Sequence, residues 1–255
     1  MSHRFLSDEI TFDSIRDIKI YQPKSGYRFS VDSLLLFNFV NLKRIKSIAD
    51  LGSGIGIIGL LLAKRYEISK VFLFEIQDKL AELASRNIEI NGLKDRVSVF
   101  NIDMQEIPSF YSGLYSSFDV VVSNPPFRKI RSGRINPYEE KALARHEIAI
   151  DLSRLVDVVD FLLKPKGRVF LIYHPSRLTE VITELRKNGI EAKRLQFVHS
   201  GIYSEAKMVL IEGVKSGKTG LKVERPFFIY DESGEYTKEM KSVYETQDPE
   251  LRKKI

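Results

Sequence analysis

The chain has 255 residues, 43% hydrophobic and 29% charged, the composition of a globular protein long enough to bury a core without covalent staples. It has no cysteine, which excludes a disulfide framework, a thiolate metal centre, an iron–sulfur cluster and a cysteine nucleophile. Forty Lys and Arg against 34 Asp and Glu give a net charge of +6, and the surplus is local: residues 31–127 carry 10 basic and 11 acidic side chains, residues 128–210 carry 16 and 10. Such a surplus suits a solvated surface or a polyanionic partner, and composition does not choose between them. No apolar run approaches the ~20 residues of a membrane helix. The first 14 residues hold no apolar segment of a secretory leader. A cytoplasmic protein with no membrane contact is expected.

The elements alternate between two periods along the chain. Residues 46–51 read as a buried strand, followed by a glycine-rich turn and an apolar helix near 57–66. A second strand spans 71–75, and a helix follows over 78–91 with Gly92 at its end. Third and fourth strands lie at 96–100 and 118–123. A helix near 149–163 stops at Lys164-Pro165-Lys166-Gly167. A fifth strand covers 168–173, a helix 176–188, and two closing strands 193–199 and 206–213. Short strands alternating with helices of ~10–15 residues predict a parallel sheet covered on both faces. Residues 1–30 and 214–255 are less regular and are expected to pack on the body as extensions.

Chemistry gathers where the strands end. The first strand runs into Asp50-Leu51-Gly52-Ser53-Gly54-Ile55-Gly56. Glycines there let the backbone turn tightly and a ligand approach closely. Residues 54–59 match Gly-x-Gly-x-x-Gly, so an NAD-type dinucleotide site is an alternative. The register fits it poorly, because an acidic residue and a further glycine precede the triplet. Glu75 ends the second strand, where a carboxylate can accept from both hydroxyls of a ribose. Asp103 follows the third strand, where a carboxylate can accept from an adenine amine. Three carboxylates along one sheet edge also suit a ligand with a cationic end.

This acidic-x-Gly-x-Gly turn with its acidic followers resembles the class I S-adenosyl-L-methionine methyltransferases. The resemblance implies an α/β fold. Its core would be a seven-stranded, mostly parallel Rossmann-like methyltransferase sheet with helices on both faces and a closing antiparallel hairpin. It implies S-adenosyl-L-methionine as cofactor, held by Asp50, Gly52, Gly54, Glu75 and Asp103. The expected organisation is a single domain over 1–255, with a catalytic core at 31–213 between extensions at 1–30 and 214–255.

The fourth strand ends in Ser123-Asn124-Pro125-Pro126-Phe127. The lone pair of an exocyclic amine on adenine is delocalised into the ring, so the nitrogen is a poor nucleophile. The side-chain oxygen of Asn124 and the carbonyl of Pro125 can each accept one amine hydrogen and favour a pyramidal nitrogen. The two prolines stiffen the turn, and Phe127 can stack on an extruded base. The turn resembles that of the amino-methyltransferases, which act on adenine, guanine or the amide of glutamine; Phe in the fourth place leans toward nucleic acid. Asn124 also lies beside the cofactor on this reading.

Gly26–Leu36, Arg145-His146-Glu147 and Arg225–Tyr230 extend the similarity to the bacterial tRNA1(Val) adenine-37 N6-methyltransferase family. That resemblance implies tRNA as the substrate partner. It also implies that Phe29 and Ser30 close over the methionine end of the cofactor, and that Asn124 to Phe127 hold the target adenine. Asp32 admits either a ligand role or a helix cap. Arg128, Lys129, Arg131 and Arg134 place four cations directly after the catalytic turn, suited to phosphates beside a flipped nucleotide. The alternatives kept open are a guanine-N2 or protein-glutamine methyltransferase, an NAD-dependent oxidoreductase and a non-catalytic RNA-binding module. Gly213–Thr219 is one residue too short for a phosphate-binding loop. The four histidines lack ligand spacing, so no metal is expected. The chain is expected to act as a monomer.

Overall fold

The computed structural model describes residues 10–25, 28–125 and 152–245. It opens with an antiparallel hairpin, β1 (Ile10–Ile15) and β2 (Ile18–Pro23), followed by α1 (Val31–Phe39). The alternating part is β3 (Ser47–Leu51), α2 (Ile57–Arg65), β4 (Lys70–Glu75), α3 (Asp78–Ile90) and β5 (Val97–Asn101). A short α4 (Ile107–Phe110) leads into β6 (Phe118–Ser123). Then come α5 (Leu152–Leu162), β7 (Leu163–Tyr173), α6 (Leu178–Lys187), β8 (Ile190–His199) and β9 (Ala206–Lys215). Two short strands, β10 (Lys222–Val223) and β11 (Phe227–Phe228), and a helix, α7 (Lys238–Tyr244), end the described chain.

Seven long strands form the sheet in the order β8-β9-β7-β6-β3-β4-β5, with β9 antiparallel to both neighbours and the other pairings parallel. This is the expected sheet with its closing hairpin. β10 and β11 add to it, pairing parallel with β8. Chain order reverses between the central strands β3 and β6, and in open α/β sheets ligands bind at the carboxyl ends beside such a reversal.

Successive residues of the central strands feed two cores, as the two-residue period of a strand requires. Ile48, Val120 and Val122 face a core built with α1, α2, α3 and the N-terminal hairpin. Ala49, Leu51 and Val121 face one built with α4, α5 and α6. Both faces are thus covered, which is why these strands are almost wholly apolar. Met240 and Val243 of α7 are fully buried in the first core.

Beyond shifts of a few residues at the ends of β8 and β9, the boundaries around β7 differ most from the expectation. The helix before β7 ends at Leu162, because Leu163 already pairs with Phe118. Lys164–Gly167 is therefore a bulge inside β7. Pairing resumes at Val120 with Arg168, and Lys166 takes a left-handed φ of 67°. The helix expected from 176 begins as a 3-10 turn at Pro175–Arg177 and is α-helical from Leu178.

The hairpin docks through two asparagines one turn apart, Asn87 within α3 and Asn91 at its C-cap. Asn87 accepts from the Tyr21 N–H at 2.6 Å and donates to the Tyr21 carbonyl at 3.0 Å; Asn91 pairs with Lys19 in the same way. Asn87 Nδ2 also donates to the Ile55 carbonyl at 3.0 Å, which ties the hairpin to the glycine turn.

Candidate active site

The sheet register brings the sequence-predicted residues to one edge. Leu51 pairs with Phe74 on one side and Ser123 on the other, and Glu75 pairs with Asn101. Gly52, Glu75, Asp103 and Asn124 therefore follow at the carboxyl ends of β3, β4, β5 and β6. Ser123 Oγ donates to the Leu51 carbonyl at 2.8 Å, which clamps the end of β6 against the start of the glycine turn.

The glycines divide by function. Gly52, Gly54 and Gly56 have φ of 69°, 57° and 87°, the left-handed region where a side chain is strained. A Cβ on Gly52 would meet nothing nearer than Met104 Cε at 3.8 Å, so the turn leaves a cradle there. Gly59 is a packing glycine: a Cβ would lie 2.2 Å from Leu73 Cδ2.

Asp50 is almost wholly buried, with 1% of its surface exposed. Its Oδ2 accepts from the Gly59 N–H at 2.9 Å, satisfying one of the free amides in the first turn of α2. Burial pushes its carboxyl up to about 7; the Gly59 hydrogen bond opposes this and the Glu75 charge adds to it. Glu75 is also buried. Its Oε2 accepts from the Gly54 N–H at 2.8 Å and its Oε1 from the Gln77 N–H at 2.9 Å. Burial raises its pKa, and the hydrogen bonds from Gln77, Gly54 and Ile76 hold the rise back. Asp103 is half-buried and accepts from the Gln105 N–H at 2.9 Å, capping the turn after β5.

A helix N-terminus normally attracts phosphate. Here Asp50 already puts a carboxylate under α2, and Glu75 adds a second beside it, so a pyrophosphate would meet like charge. That disfavours the dinucleotide reading of residues 54–59. A cationic ligand fits instead. Among the described residues, Asp50 Oδ1 and Ser53 Oγ are buried without a hydrogen-bond partner. Such orphaned atoms at the edge of an open glycine cradle suit a ligand that carries an ammonium, a sulfonium and sugar hydroxyls.

Asn124 is half-buried, and its Nδ2 donates to Ser33 Oγ of α1 at 3.2 Å. The amide nitrogen is thereby engaged, and the oxygen is the end turned from Ser33. Pro125, which follows it, is buried. Ser30 is the exposed N-cap of α1, and its carbonyl accepts from the Ser33 N–H at 3.1 Å. Phe29 packs at the border of the first core. Asp32 stands in the first turn of α1, not at its cap; burial raises its pKa against hydrogen bonds from its own backbone and Ser30. Pro126, Phe127, Arg128, Lys129, Arg131 and Arg134 lie outside the described residues, as does Arg145-His146-Glu147.

Sequence reasoning missed Ser33, Ser53 and Asn87 as parts of this site. Ser33 falls inside the Gly26–Leu36 stretch, but a serine within a leucine-rich helix start carries no signal that its partner lies 91 residues away.

Fold and strand ends together define an S-adenosyl-L-methionine-dependent methyltransferase of the Rossmann-like class. The family model described as "Methyltransferase small domain" matches residues 25–140. A solved structure of a predicted O-methyltransferase from Agrobacterium tumefaciens shares the fold. Its TM-score is 0.66 at 22% identity, over 84% of this chain and 95% of that one. A tRNA1(Val) (adenine(37)-N6)-methyltransferase from Porphyromonas gingivalis is 31% identical over 205 residues, 78% of this chain and 79% of its own. One of the same name from Dyadobacter fermentans is 25% identical over 62% of this chain and 63% of its own length. The chain belongs to the tRNA1(Val) (adenine(37)-N6)-methyltransferase family.

Proposed function

We propose that this enzyme methylates the exocyclic N6 of an adenine in tRNA, the one next to the anticodon, and that it does so as a cytoplasmic monomer. The observation that carries the reading is the Ser123–Leu51 clamp. It sets the Asn124-Pro125 turn directly beside the glycine cradle, so acceptor and donor sites share one edge.

On this reading the carboxylates of Asp50 and Glu75 give the donor pocket its negative character. Glu75 retains acceptor capacity beyond its backbone bonds, enough to take a ribose hydroxyl. Asp103 faces the adenine end, and Phe29 and Ser30 the methionine end. S-adenosyl-L-methionine, when bound, supplies a methyl on a sulfonium. Asn124 Oδ1 and the Pro125 carbonyl accept the two amine hydrogens and turn the nitrogen lone pair away from the ring. Neither amide oxygen is basic enough to remove a proton, so these groups align the amine and hold it pyramidal. The methylated nitrogen sheds its extra proton to water once the C–S bond has broken to leave a neutral thioether. Phe127 stacks on the extruded base, and Arg128, Lys129, Arg131 and Arg134 meet its flanking phosphates. The body at 31–213 carries the chemistry, with 1–30 and 214–255 as extensions.

The test separates binding from turnover. Asn124→Ala is expected to lose at least ~100-fold in turnover, in line with removal of one positioned transition-state group. S-adenosyl-L-methionine affinity should stay within a few fold. A collapse of cofactor affinity together with turnover would make Asn124 structural and overturn its assignment.

A further inference from the structure

An asparagine that must accept hydrogens has a difficulty built into it. Its two amide ends have nearly the same size, and only the oxygen accepts. A rotated Asn124 would point N–H at N–H, and leaving such donors unmatched costs about 1–3 kcal/mol in a buried site. A further group must therefore fix the amide plane before the adenine arrives.

The structure assigns that task to Ser33: we propose that it is the positioning residue of the acceptor site. The proposal rests on the reading of Asn124 as the acceptor of the amine hydrogens. Ser33 Oγ takes the hydrogen bond from Asn124 Nδ2 at 3.2 Å. Its surroundings keep it in place, since the residue is 1% exposed and leads directly into Leu34, Leu35 and Leu36, all buried. Ser33 and Ser30 also belong to the same first turn, joined by the bond between the Ser33 N–H and the Ser30 carbonyl. Ser123, clamped to Leu51, fixes the backbone of the Asn124 turn from the other side. The backbone is thus held by one serine and the amide plane by another. Ser33 does not touch the reacting atoms; it acts through Asn124.

Ser33→Ala is the first variant. Alanine is favoured in a helix, so α1 should keep its fold. The expected result on an unmodified tRNA transcript is a fall in kcat of roughly tenfold, the scale of one lost hydrogen bond. KM for the RNA, affinity for S-adenosyl-L-methionine and the melting temperature should change little. The second step repeats Ser33→Ala in an Asn124→Ala background, with residual rates from single turnovers at excess enzyme. A residue that works only through Asn124 has no further effect there. An unchanged kcat in Ser33→Ala, while Asn124→Ala is impaired, would overturn the positioning role and leave the acceptor reading standing. A further fall of the same size in the double variant would mean that Ser33 only shapes α1. Full turnover in Asn124→Ala alone would overturn the acceptor reading, and this proposal with it.

Discussion

Asp50 gives the site a pH dependence of definite sign. Its burial raises the folded pKa to about 7, above the ordinary carboxylate value that the unfolded chain shows. The protonated form therefore favours folding. That contribution is fully present below pH ~4 and is lost as pH rises through about 7. A cationic ligand draws on the opposite form. Between pH 5.5 and 7.5, where an α-amino group is still mostly protonated, affinity for S-adenosyl-L-methionine should tighten with rising pH. The limit is tenfold per unit. Asp50→Asn should flatten this dependence and weaken binding about tenfold at pH 7.5, both read by titration calorimetry. A wild-type affinity that does not change over this range would remove Asp50 from the cofactor's field. The carboxylates and glycines were legible in the sequence because each stands at or just past the end of its own strand. Ser33 and Asn87 were not, because their partners stand 91 and 66 residues away and only the folded sheet unites them.

Secondary elements were readable wherever the pattern was local. Gly92 ends α3 with a φ of 64°, as a helix-terminating glycine should. The N-terminal hairpin escaped because its turn lacks an Asn-Gly or Asp-Gly signal; Arg16 adopts the positive φ of 51° instead. That arginine also donates to the carbonyls of Ser242 and Val243 at the end of α7, which joins the two chain extensions. The helix α7 and the two-residue strands are too short to show a period. The contact of α2 with β4 carries a prediction of its own. Gly59→Ala would drive a methyl into Leu73 and Val71, and overpacking of this kind costs about 1–3 kcal/mol. Thermal denaturation should show a loss of several degrees, while Gly113→Ala, with nothing within 4 Å, should leave the midpoint where it was. Equal midpoints for the two variants would show that α2 has room to move off the sheet.

At the scale of the molecule, one sheet edge carries the glycine turn, the carboxylates and Asn124, and the basic surplus of the sequence begins immediately after Asn124-Pro125-Pro126-Phe127. Neutralising Arg128, Lys129, Arg131 and Arg134 together should weaken tRNA binding and lower the slope of log affinity against log salt by up to ~3, as four phosphate contacts to a single strand would. Cofactor affinity should be unaffected. An unchanged slope would place the RNA backbone elsewhere on the surface. The substrate itself was legible only through resemblance, since the geometry of an acceptor turn suits adenine, guanine and glutamine amides alike.

The central claim is tested most directly by transferring labelled methyl from S-adenosyl-L-methionine to unmodified tRNA, digesting the product to nucleosides and identifying the labelled species by mass spectrometry. The account predicts N6-methyladenosine with the wild-type enzyme and almost none with Asn124→Ala. Label in a guanosine, or no labelled nucleoside from an enzyme that binds the cofactor, would contradict it and direct attention to ribosomal RNA or protein glutamine.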